Sequence, residues 1–385
     1  MSSDEFCLVM MVKNEAGFVT RAIESALNSD FKFTSVAIVD FGSNDNTCAE
    51  VRCIEVSNPG ICFHVCDREW PNSYAHARNI VLDFAEECLQ ERQVVTRTWI
   101  VMLDGKDTIC GKYVAIPEYA TALDVTMVGG SIVWGRTNGY LFGSRYRYVG
   151  RVHEHLEGPN NAAVVSCGMQ MIVHFKQQTK EEQLKKYWKY HALLTEDIDD
   201  VSQASWKPRN TFYLAQTLSI LLSLGERCGQ EFCEVAYSRL MSNEGYKDEA
   251  YVSGLYLLKL APLGLLGTVA SPDQIVSRCC DLNWSRLEAP YFFLKRCRTE
   301  DDWASKYSWN DRRVIGARVA SCHWNGGGLF IDQEICSWMY ADEYGLAAFY
   351  SGDRPAALSS SCVAHYFCRD ENSKKRIASN IEFMK

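Results

Sequence analysis

The chain has 385 residues, 47% apolar and 23% charged, values that suit two folded domains and exclude a disordered protein. Its formal net charge of −8 excludes a protein that grips nucleic acid over its whole surface, while leaving room for a local basic groove. No window reaches the roughly 18 uninterrupted apolar residues of a membrane span. The acidic start MSSDEF lacks the basic and apolar segments of an export signal, so a soluble, non-exported protein is expected.

FCLVMMV (6–12) carries no polar alternation and predicts a buried strand. Phe18, Val19, Ala22, Ile23, Ala26 and Leu27 then form the stripe of a helix over 16–27. SVAIVD (35–40) predicts a second strand, closed by the turn-rich FGSNDNT, and ICFHV (61–65) a third. Residues 73–89 predict a long amphipathic helix with Ala77, Ile80, Val81, Phe84 and Cys88 on one face, and TWIVML (98–103) the next strand. Strands separated by helices imply parallel pairing in an α/β sheet covered on both faces.

From residue 125 the texture changes to TMVGGSIVWG, YLFGSRYRYVG and AAVVSCGMQMIVHF, short glycine-bearing strands that predict a mixed or antiparallel extension of the sheet. Beyond His174 the strands stop. KEEQLKKYWKYHALLT (180–195) predicts a helix, and helices joined by Gly and Pro breaks run on to the end. No strict period near 34 is visible, so this half reads as an all-α, degenerate helical-repeat-like domain. The expected division is 1–176 and 177–385. Concave repeat surfaces bind partners or dimerise, and a homodimer through this half is one expectation. Its aromatics, among them Tyr187, Trp188, Tyr190, Trp284, Trp303, Trp309, Trp324 and Trp338, read mostly as core.

Seventeen cysteines without a Cys-x-x-Cys pair read as reduced, half-buried apolar residues rather than disulfides or a zinc site.

The stretch WIVMLDGKDTI (99–109) asks for a chemical account, because a buried strand ends in two acids and a lysine. In open α/β sheets, ligands bind beyond the carboxyl ends of the strands. Asp40 and Asp104 both follow strands and would face one crevice; the plain alternative is that each caps a turn. Asp104 with Asp107 offers carboxylate oxygens suited to Mg²⁺ or Mn²⁺. His174, after MQMIV, adds a nitrogen ligand or is simply structural. Arg78, early in its helix, suits bidentate phosphate or base contacts or a salt bridge.

KNEAGFVTRAIES, VDFGSNDNT, WPNSYAHARN, MLDGKD and RYRYVGRVHEHLEG, followed by IVHF, resemble in order and spacing the GT-A fold of family 2 glycosyltransferases. PRNTFYLAQ and DEYGLAAFYSGDRPAAL extend the likeness to members with a tetratricopeptide-like C-terminal region, including bacterial peptide-modifying and viral ones. The resemblance implies a GT-A, Rossmann-like mixed sheet and a nucleotide-sugar donor, a UDP-sugar by default. It also implies Mn²⁺ or Mg²⁺, and a cytoplasmic location in a cell or a virus-infected host cell. Asn14 and Glu15 would line the nucleotide pocket, Asp40 would bind the base, and Arg78 would help hold the nucleotide. Asp104 would take the first acid of an Asp-x-Asp motif, near ribose and metal. Glu154 would be the general base on the acceptor, with His153 beside it, and His174 would complete the metal shell with Asp104 and Asp107.

Relatives place a second acid where this chain has Lys106. Three readings follow: Asp107 replaces it as ligand, the Lys106 ammonium itself neutralises the diphosphate, or the site is degenerate and the protein a binding scaffold. The first two agree with the intact remaining motifs, and the expected activity is inverting transfer of a hexose or pentose. The acceptor would be a hydroxyl or thiol on a protein, glycan or modified nucleobase. A nucleotidyltransferase fits worst, because MMVKNEAG lacks a Gly-rich phosphate loop.

Overall fold

Strand β1 (Glu5–Val12) shows why the sheet forms where it does. Phe6, Leu8, Met10 and Val12 enter one buried cluster, and Cys7 and Val9 enter another on the opposite face. A strand buried on both faces needs apolar residues without alternation, as its sequence supplies. Each such large side chain contributes about 1.5–3 kcal/mol by leaving water. The computed structural model describes residues 4–94, 96–174, 177–320 and 328–385, so Trp324 and Phe175 lie outside the described residues. The chain divides into two compact units, Met1–Gln177 and Gln178–Lys385.

In the first unit β2 (Phe33–Asp40), β3 (Cys62–Asp67), β4 (Thr98–Met102), β5 (Thr108–Gly111), β6 (Ala122–Gly129), β7 (Ile132–Leu141) and β10 (Val164–Ile172) join β1. They lie in the order β3-β2-β1-β4-β7-β6-β10-β5. β1 runs parallel to β2 and β4, and β2 parallel to β3. β7 is antiparallel to both β4 and β6, β10 parallel to β6, and β5 antiparallel to β10. The sheet is therefore mixed, as the texture change predicts.

Helices α1 (Val19–Leu27) and α2 (Thr47–Ser57) cover one face with Val19, Ala22, Ile23, Ala26, Val51 and Ile54. Helix α3 (Tyr74–Glu91) covers the other with Ala77, Val81, Leu82, Ala85 and Leu89. It starts where the sequence predicts, with Ser73 as N-cap accepting the His76 N–H at 3.3 Å. A small hairpin, β8 (Arg147–Val149) and β9 (His155–Glu157), adds Tyr148 and Leu156 to the α3 side. Two expectations need correction. The helix predicted over 16–27 begins at Val19, and the strand predicted over 61–65 continues to Asp67.

The second unit is helical, from α4 (Lys180–Asp199), capped by a Thr179–Glu182 capping box, to the C-terminal helix at Glu371–Met384. Of the aromatics read as core, Trp303 is fully buried, whereas Trp188 and Trp284 are exposed. No helix among the described residues is long and apolar enough to cross a membrane.

Candidate active site

The carboxyl ends of β1 and β2 are laced together. Asn14 takes a left-handed backbone with φ of 54°, which an Asn tolerates, and Gly17 follows at 78°. The N–H of Asn14 donates to Ser43 Oγ at 2.9 Å, and Asn14 Oδ1 accepts the Asn44 N–H at 2.8 Å. The N–H of Glu15 donates to Thr47 Oγ1 at 2.8 Å, that of Ala16 to Asp45 at 3.1 Å, and that of Gly17 to the Glu50 carboxylate. These bonds hold the first loop off the helical path, which is why α1 starts late.

Asp40, at the end of β2, is buried and accepts the Ser43 N–H at 3.0 Å, the Ser43 hydroxyl at 2.7 Å and the Cys48 thiol at 2.9 Å. The bond to Asp40, with burial, pushes the Cys48 thiol up to about 11. Asp67 ends the neighbouring strand in register with Asp40. Asp40, Cys48 and Asp67 each offer an atom within 4.8 Å of the others, the one such His, Cys, Asp or Glu group among the described residues.

Beyond β4 the loop passes so close to Glu15 that a Cβ on Gly105 would lie 2.8 Å from Glu15 Cγ, hence a glycine between the two acids. Arg78, buried on α3, joins two acids far apart in sequence. Its Nη2 donates to Asp104 Oδ1 at 2.8 Å and its Nε to Glu154 Oε1 at 2.9 Å. The guanidinium carbon stands 5.2 Å from the centroid of the Tyr148 ring. Burial alone would lower the Arg78 pKa, but Asp104 and Glu154 outweigh it and hold the group firmly charged. Burial likewise pushes Asp104 up, and Arg78, Arg136 and Lys106 more than offset this, leaving its carboxyl below the ordinary value.

Asp107 differs. Burial first, then the neighbouring Asp104 charge, push its carboxyl up to about 6. Its Oδ1 accepts the His174 backbone N–H at 3.0 Å, while His174 Nε2 lies 3.3 Å from Thr108 Oγ1. The His174 imidazole is lowered by burial and by Arg21. Asp104, Asp107 and His174 share one end of the sheet, but among the described residues they do not bring three ligand atoms within 4.8 Å of one another. Lys106 lies between the two acids in the chain, and its carbonyl accepts from Arg21 Nη2 at 3.1 Å.

Sequence reasoning missed Arg136, in the middle of β7, whose Nη2 lies 3.4 Å from the Glu154 carbonyl oxygen. It also missed Asn79, which holds the hairpin leading to Glu154. Arg136 has no local signature, being one charge in a strand. The HARN run does single out Asn79, though only as the neighbour of Arg78.

Residues 7–176 match the model of glycosyl transferase family 2. The first unit of this chain is thus a family 2 glycosyltransferase domain, with the GT-A sheet that the resemblance implies, followed by a helical region. Among solved structures, the chain is similar to TarS of S. aureus at 14% identity and a TM-score of 0.34, covering 73% of this chain and 53% of that one. The chain therefore spans about half the length of that protein; against TarS 1–349 with UDP-GlcNAc the covered shares are 85% and 99%. The mannosyltransferase PcManGT from Pyrobaculum calidifontis, in complex with GDP-Man and Mn²⁺, is 13% identical with a TM-score of 0.33, covering 66% of this chain and 84% of that one. No curated protein sequence matches the chain significantly.

Proposed function

We propose that residues 1–176 catalyse inverting transfer of a hexose or pentose from a nucleotide-sugar to a hydroxyl or thiol of a protein, glycan or modified nucleobase. Residues 177–385 would form a tetratricopeptide-like domain that engages the acceptor or a second copy of the chain, in the cytoplasm. The observation that carries this reading is one buried guanidinium joining Asp104 and Glu154 within a family 2 domain. Inverting transfer needs a base on one side of the sugar and charge compensation for the leaving diphosphate on the other.

In this reading Glu154 takes the proton from the acceptor as it attacks the anomeric carbon. Asp104 orients the donor near its ribose, and Lys106 faces the diphosphate. Asn14, Glu15 and Asp40 line the nucleotide pocket. Asp40 already accepts three donors, leaving about one of a carboxylate's four acceptor positions for a base.

Asp104 and Asp107 would hold a divalent cation, Mn²⁺ or Mg²⁺: burial first, and then the Asp104 charge, raise Asp107, and a cation would relieve the second of these. His174 is the candidate third ligand. When bound, the ion would supply positive charge for the diphosphate, a task that Lys106 and Arg136 would share in part.

The test is a thermal-shift panel of UDP, GDP, UDP-GlcNAc and GDP-mannose, with and without Mn²⁺, on the unsubstituted chain and Asp104→Ala. A nucleotide that stabilises the first and not the second supports the reading, and its Mn²⁺ dependence separates metal from Lys106. No shift under any condition overturns it in favour of a degenerate GT-A scaffold that binds a partner.

A further inference from the structure

The resemblance gives Arg78 to the nucleotide, but its surroundings point elsewhere. The Arg78 side chain is only 5% exposed, whereas those of its partners Glu154 and Asp104 are 14% and 32% exposed. Both acids are more exposed than the cation that joins them. Its Nε and Nη2 are both engaged, one by each acid, and the Tyr148 ring lies against the guanidinium. These bonds use two of its five N–H groups, and at 5% exposure the rest of the head offers a diphosphate little surface.

The rest of α3 performs the same kind of task. Asn79 bonds both main-chain groups of Tyr148, and Asp83 and Glu86 bind Arg147, so three residues of one helix fasten the first strand of the hairpin that precedes Glu154. From β7, Arg136 holds the Glu154 carbonyl. Arg78 completes this set and alone reaches across to Asp104.

We propose that Arg78 is a positioning residue, not a donor ligand: it fixes Glu154 relative to Asp104 from behind the crevice, each acid keeping its second oxygen for substrate. This rests on the assignment of Glu154 as the base and Asp104 as a donor-site acid. Only arginine suits the task. Its planar fork directs two N–H groups along fixed lines, whereas a lysine ammonium on a flexible stem cannot span both carboxylates in one geometry. The separation of base and donor acid is then set by one rigid group, the pre-organisation a transfer reaction needs.

The test compares binding of UDP and GDP with nucleotide release from UDP-GlcNAc and GDP-mannose, in the full chain and in Arg78→Lys, Arg78→Gln and Glu154→Gln. For the nucleotide that the unsubstituted chain binds, both Arg78 variants should keep the affinity within about twofold, while release falls about a hundredfold or more, the scale on which positioned bases act. Guanidinium at low millimolar concentration should restore part of the release in Arg78→Gln. An affinity loss that matches the loss of release overturns the proposal and returns Arg78 to the donor. Full release in Arg78→Lys overturns it as well, because the fork is then not needed.

Should the Arg78 variants fail to fold, Glu154→Gln still decides, since it leaves Arg78 in place. Unchanged nucleotide affinity supports a residue held behind the crevice. Tighter binding, by about tenfold, shows an arginine released onto the diphosphate and overturns the proposal. An unsubstituted chain that binds a nucleotide yet releases none overturns it too, leaving no transfer to position. Failure of the unsubstituted chain to bind UDP or GDP brings down the donor reading itself and this proposal with it, a result told apart by needing no variant.

Discussion

Asn79 holds the main chain of Tyr148 at both of its polar groups, accepting its N–H on Oδ1 at 2.7 Å and donating from Nδ2 to its carbonyl at 2.9 Å. One amide side chain thereby does what a neighbouring strand would do. The hairpin needs it, because β8 and β9 are three residues each and an isolated pair of strands is marginal in water. Asn79→Ala should cost about 1–3 kcal/mol by leaving two main-chain groups without their partner. Hydrogen exchange should show faster exchange at Tyr148 and through residues 147–157, with β1 and β4 unchanged. Equal acceleration across the whole sheet would mean that Asn79 supports global stability and not the hairpin.

The two carboxylates on Arg78 should fail differently. Glu154→Gln keeps an oxygen for Arg78 and removes the base, so nucleotide release should fall about 10²–10⁴-fold with donor affinity little changed. Asp104→Ala removes a donor contact as well as a charge and should lose both binding and release. Normal turnover in Glu154→Gln would sink the base assignment.

How far the sequence reveals this site depends on the range of the interactions. The buried strands β1, β2 and β4 are legible because uninterrupted apolar runs match burial on both faces. Helix α3 is legible through its apolar stripe and the Ser73 cap. The late start of α1 is not, because the N–H groups of 14–17 go to side chains of residues 43–50 that no local pattern links to them. Asp67 escapes the strand prediction for a similar reason: β3 pairs with β2 to its last residue, and pairing is not written in one strand alone. Asp104, Glu154 and Arg78 each show as single residues in motifs, but their joining through one guanidinium is a tertiary fact.

Asp107 gives the chain a pH signature. It is buried, and its carboxyl is raised to about 6 in the folded state, against about 4 for an unfolded Asp. The folded chain thus keeps a proton that the unfolded chain has released. Stability therefore falls as pH rises from about 4 to about 6 and stays reduced above that. Two pKa units correspond to roughly 3 kcal/mol, an upper figure because surrounding groups relax. Asp107→Asn keeps an acceptor for the His174 N–H and removes the charge. Its melting temperature should exceed that of the unsubstituted chain at pH near 7, the gap closing toward pH 4 and shrinking when Mn²⁺ is added. A gap independent of pH would show that Asp107 does not titrate in this window.

In the helical unit, Arg286 and Glu288 are a buried pair, each side chain 1% exposed. Nη2 and Nε of Arg286 meet the two carboxylate oxygens at 2.8 and 3.3 Å, and Nη1 donates to the Leu329 carbonyl at 3.0 Å. The guanidinium also stands 4.3 Å from the Tyr251 ring centroid. Taking two charges out of water is costly, so the pair itself adds little net stability, but removing Arg286 strands Glu288, and removing Glu288 leaves Arg286 only the longer ion pair with Asp248 at 3.9 Å among the described residues. Glu288→Ala and Arg286→Met should each cost about 3–5 kcal/mol. The double variant should cost less than their sum by about 1–3 kcal/mol, the coupling expected of residues in contact. Calorimetry is the suitable measurement, because a chain of two compact units need not unfold in one step and only the transition of the helical unit should move. Strict additivity of the two substitutions would show that the arginine finds other partners once Glu288 is gone.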